Sequence, residues 1–324
     1  MLRLPAQWEE QESTLIALPF KGSDWSPYLN EALFAFKDFI KTISKFQKVI
    51  LLCKELKEAK ALLEGVKNIE FLKADYDDTW IRDYGPIDAV DEGGLFSYDF
   101  KFNAWGDKFQ SSKDDKIVSF LHEKGFLKGR CKRVEFILEG GSIDSNGDGY
   151  LLTTSKCLLN QNRNSSFTKD EIEKKLTSLF GLKKLFWLEN GHLMGDDTDA
   201  HIDTLARFIN KNTIVYQMCN KDDIHYEGLK KLENELKALP FKLLKLPLPS
   251  EVLFEDKRLP ATYINFLFVN GALIVPTYGA KEDELALSLL QKTVPNLNVV
   301  GVDAKVFIRQ NGSLHCSSMH RFKR

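Results

Sequence analysis

Tyr263-Ile264-Asn265-Phe266-Leu267-Phe268-Val269-Asn270-Gly271-Ala272-Leu273-Ile274-Val275-Pro276 decides the fold. Two apolar runs rich in aromatic and β-branched residues flank Asn270-Gly271, a pair that predicts a two-residue type I′ hairpin. Pro276 closes the second run. An amphipathic helix is predicted over Glu282 to Lys292, with Leu285, Leu289 and Leu290 at helical spacing, and a third strand over Leu297 to Val302. The unit is therefore strand, strand, helix, strand.

The same rhythm recurs more loosely upstream. Amphipathic stretches lie at Glu31 to Phe46, Glu55 to Glu64, Lys113 to Lys124, Thr168 to Phe180 and Asp223 to Leu239. Thr168 with Glu171 three residues on reads as a capped helix start. Strand-like runs separate these stretches, among them Ser13 to Leu18, Lys48 to Cys53, Leu95 to Phe102, Arg133 to Leu138, Tyr150 to Thr154 and Thr213 to Met218. About five units of roughly 60 residues would fill the chain, although they share too little identity to be read as repeats from sequence. No Ser/Gly/Pro-rich linker divides it, so a single domain over 1–324 is expected. No strand is followed by GxGxxG or GxxxxGK[ST], which removes the main support for a nucleotide fold.

Composition narrows the class. Of 324 residues 43% are apolar and 28% charged, which excludes a disordered chain. Lys plus Arg is 45 and Asp plus Glu 46, so no global field draws nucleic acid or an anionic membrane. The start has no apolar signal core, and the longest aliphatic run, Val49 to Cys53, is far too short to span a bilayer. Five dispersed cysteines without a CxxC pair fit a reducing cytoplasm.

Polar constellations supply candidate chemistry. Asp77-Asp78-Thr79-Trp80-Ile81-Arg82-Asp83-Tyr84-Gly85-Pro86 sets acids beside aromatic faces, a trap for an organic cation, or else forms a solvated turn. Glu139-Gly140-Gly141-Ser142 places a carboxylate at a strand end, with glycines that would let a ligand approach. Asp144 to Gly149 imitates a calcium loop but has Ser155 where the bidentate Glu belongs, so a hairpin is expected there. Gly191-His192-Leu193-Met194-Gly195-Asp196-Asp197-Thr198-Asp199-Ala200-His201-Ile202-Asp203 is the densest polar cluster. A strand there would point His201 and Asp203 the same way, and the carboxylate would favour the charged imidazole, suiting an acid that later serves as a base. A metal site including His192 is the rival reading. Near the carboxyl end, Asn311-Gly312-Ser313-Leu314-His315-Cys316 is either a frayed tail or an accessible nucleophile.

Taken in order, these segments, together with Leu158-Leu159-Asn160-Gln161-Asn162-Arg163-Asn164 and Leu205-Ala206-Arg207-Phe208, resemble the agmatine deiminase family of the guanidine-modifying superfamily. The resemblance implies the pentein fold, a pseudo-fivefold α/β propeller. It also implies Cys316 as nucleophile, His201 as acid and base, and Asp83, Glu139 and Asp203 as carboxylates around a guanidinium. Trp80, Asp78, Asp197, Arg82 and Asp199 are the expected substrate contacts, and the acid-rich segments that carry Asp77, Asp78, Asp196, Asp197 and Asp199 suit an amine tail. The family's glycine-rich run before the cysteine is here only Asn311-Gly312-Ser313, and Ser317, Ser318, Met319 and His320 follow. The expected reaction is hydrolysis of agmatine to N-carbamoylputrescine and ammonia through an amidino-cysteine, supplying putrescine biosynthesis in the cytoplasm. No cofactor, metal, nucleic acid or membrane is expected, and a homodimer is left open. Free or peptidyl-arginine deimination, amidino transfer to an amine, a metal-dependent hydrolase and a non-catalytic binding protein on the same propeller are the alternatives.

Overall fold

The computed structural model describes residues 2–323. Leu267–Val269 and Ala272–Thr277 pair antiparallel, with Val269 opposite Ala272. Ala272–Thr277 then runs parallel to Asn298–Asp303, reached through the helix Asp283–Thr293. A parallel neighbour needs such a crossover, whereas the antiparallel pair needs only its two-residue turn. Gly271 alone of that turn has positive φ. Asn270 departs from the expected type I′ geometry because its side chain is held elsewhere. Its Oδ1 accepts from the Gln11 N–H at 2.9 Å and its Nδ2 donates to the Gln11 carbonyl at 2.8 Å.

Three further sheets repeat the plan. They comprise Ile87–Asp91, Gly94–Lys101 and Cys131–Ile137; Ile143–Ser145, Tyr150–Thr154 and Lys184–Leu188; and Ala206–Asn210, Thr213–Met218 and Lys242–Pro247. Their crossover helices are Ile117–Glu123, Lys169–Phe180 and Tyr226–Lys237. Thr168 and Glu171 form a complete capping box, and Gly181 ends that helix at φ 63°. The calcium-like segment is the turn of the hairpin joining Ile143–Ser145 to Tyr150–Thr154.

The fifth unit is assembled from both ends of the chain. Gln11–Ala17 pairs antiparallel with Ser318–Phe322 and parallel with Lys48–Cys53 across the helix Leu29–Ile43, and Ile69–Lys73 adds an outer strand. The result is the pseudo-fivefold α/β propeller that the resemblance implies. The carboxyl end is thus a buried strand and not a frayed tail. Among the described residues no helix is long and apolar enough to cross a membrane.

The segment entering each unit's first hairpin strand lies buried at the hub. These segments are the short helix Ile81–Tyr84, the turns Gly140–Ser142 and Ile202–Thr204, residues 262–265 and residues 313–317. The strand expected from Tyr263 starts only at Leu267. Thr262 Oγ1 is committed to the Thr204 carbonyl and Tyr263 OH to Asp283, which bends the chain away from a ladder. His201 and Asp203 likewise sit at a 3₁₀ turn instead of a strand.

Asn270→Ala removes two of the bonds that tie the first strand to the last unit. It should cost about 1–3 kcal/mol, read as a lower urea midpoint with unchanged m; an unchanged midpoint would show that this clamp contributes nothing.

Candidate active site

Gly141 lies at the meeting point of three functional side chains. A Cβ there would come within 2.7 Å of His201 Nδ1, 2.9 Å of Asp83 Oδ1 and 3.1 Å of Asp203 Oδ2. At Gly140 it would strike the Arg82 carbonyl at 2.2 Å. The two glycines thus admit the protein's own groups, not a ligand as the sequence suggested. Asp83 is aimed by the Gly141 N–H at 2.8 Å and the Trp105 indole N–H at 3.0 Å. His201 Nδ1 is 3.7 Å from Asp83 Oδ1, and its Nε2 is 3.6 Å from Glu139 Oε2. Neither ring nitrogen has a hydrogen-bond partner among the described residues, and Asp203 Oδ1 is also without a donor.

Cys316 completes the group. Its Sγ is 3.7 Å from Asp203 Oδ2 and accepts from Asn265 Nδ2 at 3.2 Å. Asn265 Oδ1 accepts the backbone N–H groups of His315 and Cys316, so a single amide sets both the chain and the sulfur. Asp203 Oδ2 also meets His315 Nδ1 at 2.7 Å.

Burial governs the electrostatics. It pushes the Cys316 thiol well above its ordinary pKa, with Asp203 and Asp83 adding to the rise. It raises Asp203 to about 6 and also raises Asp83. Burial alone would lower His201, but Asp83, Cys157 and Glu139 outweigh it and hold the imidazole well above the usual value. Burial would raise Glu139, yet Arg163 and His201 bring it below the usual carboxylate range. The resting site therefore combines a neutral thiol with a charged imidazole.

A cavity of about 580 Å³ leads to the sulfur, lined by Asp24, Asp78, Trp80, Asp83, Trp105, Asp197 and Cys316 among others. Trp80 lies against Gly312, where a Cβ would be 2.3 Å from the indole. Asp78 is raised to about 7, chiefly by burial. Asp197 accepts from Asn311 Nδ2 at 3.0 Å.

Two expected substrate contacts are placed elsewhere. Arg82 turns away from this cavity, its Nε donating to the His315 carbonyl at 3.2 Å. Asp199 is held at φ 66° with Oδ2 on Lys108 and Arg163, which need its charge. Arg207 is a strut, paired with Asp144 and stacked on Phe266. His192 is not part of the group that His201 forms with Glu139 and Cys157.

Four contributors were not assigned roles from sequence. Asn265 was read as strand interior. Trp105 gave no signal, because it reaches Asp83 from a left-handed run, Ala104 to Asp107, that no propensity predicts. Arg163 clasps both Glu139 oxygens at 2.8 and 2.9 Å, giving the Asn160 to Asn164 motif its purpose. Cys157 Sγ, with Glu139 and His201, forms a group whose ligand atoms lie within 4.8 Å of one another. Those donors suit a metal poorly, since the Arg163 cation already occupies the carboxylate.

Fold and site define a pentein whose hub joins a thiol, an imidazole and three buried carboxylates. The chain belongs to the Porphyromonas-type peptidyl-arginine deiminase family, whose model matches residues 3–321. It is 31% identical to an agmatine deiminase of Pseudomonas aeruginosa over 97% of this chain and 94% of that one. A substrate-bound, cysteine-to-serine variant of the C. jejuni agmatine deiminase superposes with a TM-score of 0.97 at 52% identity, covering 100% of this chain and 97% of that one. A Microseira wollei amidinotransferase shares the fold alone, at 13% identity and a TM-score of 0.56 over 100% and 97% of the two chains.

Gly141→Ala should destabilise the fold by about 1–3 kcal/mol and, by displacing His201 and Asp83, lower turnover of a guanidine substrate by about 100-fold. Thermal melts and steady-state assays read the two effects; wild-type turnover would contradict the convergence on Gly141.

Proposed function

We propose that this protein hydrolyses agmatine to N-carbamoylputrescine and ammonia, acting as a single catalytic unit and supplying a putrescine-forming route. The observation that carries this is the distribution of free acceptors. Asp203 Oδ1, unpartnered among the described residues, and Asp83 lie beside the thiol, while Asp24, Asp78 and Asp197 line the same cavity. A molecule with a planar cation at one end and an ammonium at the other satisfies both sets. Free arginine would bring its α-carboxylate against those acids, and the two arginines that could have received it, Arg82 and Arg207, are engaged elsewhere.

The guanidinium donates N–H bonds to Asp83 and Asp203 with its carbon facing Cys316. Trp80 and Trp105 form part of the cavity wall around it. Its charge lowers the thiol pKa, opposing the burial and the carboxylates that raised it. The thiol gives up its proton, with Asp203 Oδ2 an acceptor at 3.7 Å, and Sγ bonds to the guanidinium carbon. His201, charged at rest, protonates the departing nitrogen, and the C–N bond breaks to release ammonia. An amidino-thioether remains on Cys316. The now neutral His201 takes a proton from water as its oxygen attacks the same carbon. The C–S bond breaks, the ureido product leaves and the thiol is restored. Holding the carbon beside the sulfur makes the attack effectively intramolecular.

Cys316→Ser should abolish turnover and still bind agmatine within a few-fold of wild type by calorimetry; normal turnover would remove Cys316 from the reaction. A panel of agmatine, arginine and a peptidyl-arginine should show kcat/KM highest for agmatine, and preference for either of the others would overturn the substrate assignment. Ammonium binding requires ionised Asp78, which has a pKa of about 7 in the free protein. Agmatine affinity should therefore rise as pH increases through 7, with protons released on binding. Calorimetry in buffers of different ionisation enthalpy measures that release; proton uptake would contradict the role of Asp78. Trp105→Phe removes a donor that favours ionised Asp83, so the acid limb of kcat/KM should move to higher pH; an unmoved limb would separate the indole from that titration.

A further inference from the structure

Asp203 Oδ2 and His315 Nδ1 lie 2.7 Å apart, and both side chains are fully buried. Two lone pairs do not face each other at that distance, so one proton lies between them. The partners on the far side of the ring limit where it can sit. Arg207 can only donate, so Gln7 Oε1, 2.6 Å from Arg207 Nη2, is fixed as an acceptor. His315 Nε2 faces the same oxygen at 3.1 Å and must donate to it. One ring proton is thereby committed to Nε2. A neutral His315 then has a bare Nδ1, and the bridging proton belongs to Asp203 Oδ2. If that proton crosses, Asp203 becomes a carboxylate and His315 an imidazolium that donates from both nitrogens. Both arrangements satisfy every partner, and a single short transfer separates them.

The ring is held in place for this exchange. The His315 N–H donates to Asn265 Oδ1 at 2.9 Å, and its carbonyl accepts from Arg82 Nε at 3.2 Å. The surroundings choose between the two arrangements. His315 is faced by Arg207, Arg82, His320 and His201, and burial together with these cations drives its ring well below the usual pKa. Asp203 is faced by His201, Asp83, Arg207 and Arg82, and burial raises it to about 6. In the empty site the proton therefore rests on Asp203. Asp203 Oδ1 has no donor among the described residues. A guanidinium donating to Oδ1 favours the carboxylate and reverses the preference.

We propose that Asp203 and His315 share one proton, held by Asp203 when the site is empty and by His315 when a guanidinium occupies it. The inference rests on the reading of Asp203 as a partner of the substrate cation. His315 is then a positioning residue that turns a buried acid into a carboxylate on binding, with no proton lost to solvent. The O–H bond of Asp203 breaks as the Nδ1–H bond of His315 forms. That frees Oδ2, 3.7 Å from Cys316 Sγ, to take the thiol proton. When the C–S bond breaks at the end of the cycle, Oδ2 returns that proton to sulfur. As product leaves, Nδ1 returns the other to Oδ2.

Neutron diffraction from deuterated crystals of the Cys316→Ser protein locates these protons directly. In the empty site deuterons should lie on His315 Nε2 and Asp203 Oδ2, with none on Nδ1. With agmatine bound, Nδ1 and Nε2 should each carry one and Asp203 none. Methylguanidine, which has the planar cation but no ammonium, should give the same pattern. If it binds and agmatine does not, the substrate assignment falls while the shared proton stands. In solution, near pH 6, Cys316→Ser/His315→Leu should release more protons per agmatine bound than Cys316→Ser, because Asp203 then has no internal acceptor. A deuteron on Nδ1 in the empty site, a bare Nε2, a deuteron still on Oδ2 beside a bound guanidinium, a site that neither guanidine enters, or equal proton release would each overturn the proposal.

Discussion

Everything in this structure is arranged around the burial of Asp83, Glu139, His201 and Asp203 beside a cysteine. At most 4% of any of these four residues is exposed. Ionised groups removed from water must be paired, must shift their pKa, or must wait for a charged ligand. All three solutions occur within one hub. Glu139 is paired, clasped through both oxygens by Arg163. Asp203 and the Cys316 thiol have shifted towards their protonated forms. Asp203 Oδ1, still without a donor among the described residues, is suited to a guanidinium.

The propeller provides a way to make such a cluster. Each unit begins with a short buried segment before its first hairpin strand, and each of those junctions brings one or two polar groups to the hub. Asp83, Glu139, His201 with Asp203, Asn265 and Cys316 come from five successive junctions. The separate sheets and their crossover helices provide the core that holds the junctions in place. Closing the first sheet with Ser318–Phe322 fixes the Cys316 turn between two paired elements, so the nucleophile is not on a loose end.

The hairpin, its crossover helix and the parallel strand that follows were legible because turn chemistry and helical periodicity are local signals. The unit assembled from both ends of the chain was not, since half of its hairpin lies about 300 residues away and only long-range pairing reveals it. Cys316, His201 and the three carboxylates were legible from residue chemistry combined with a family resemblance. Asn265 was hidden because an asparagine between Ile264 and Phe266 looks like a strand residue, and its role depends on a bend imposed by Thr262 and Tyr263. Trp105 was hidden because its backbone adopts a conformation its own sequence disfavours. Arg82 and Asp199 misled in the opposite sense. Beside the right residues in sequence, their side chains point into ion pairs and carbonyl contacts that serve the scaffold.

The account depends on Cys316 becoming covalently bonded to the substrate's central carbon. Acid-quenching wild-type protein within its first turnovers of agmatine, followed by peptide mass spectrometry, tests this directly. An adduct on Cys316 with the mass of agmatine less ammonia is the predicted result. Turnover without any adduct, or an adduct on Cys157 instead, would contradict it.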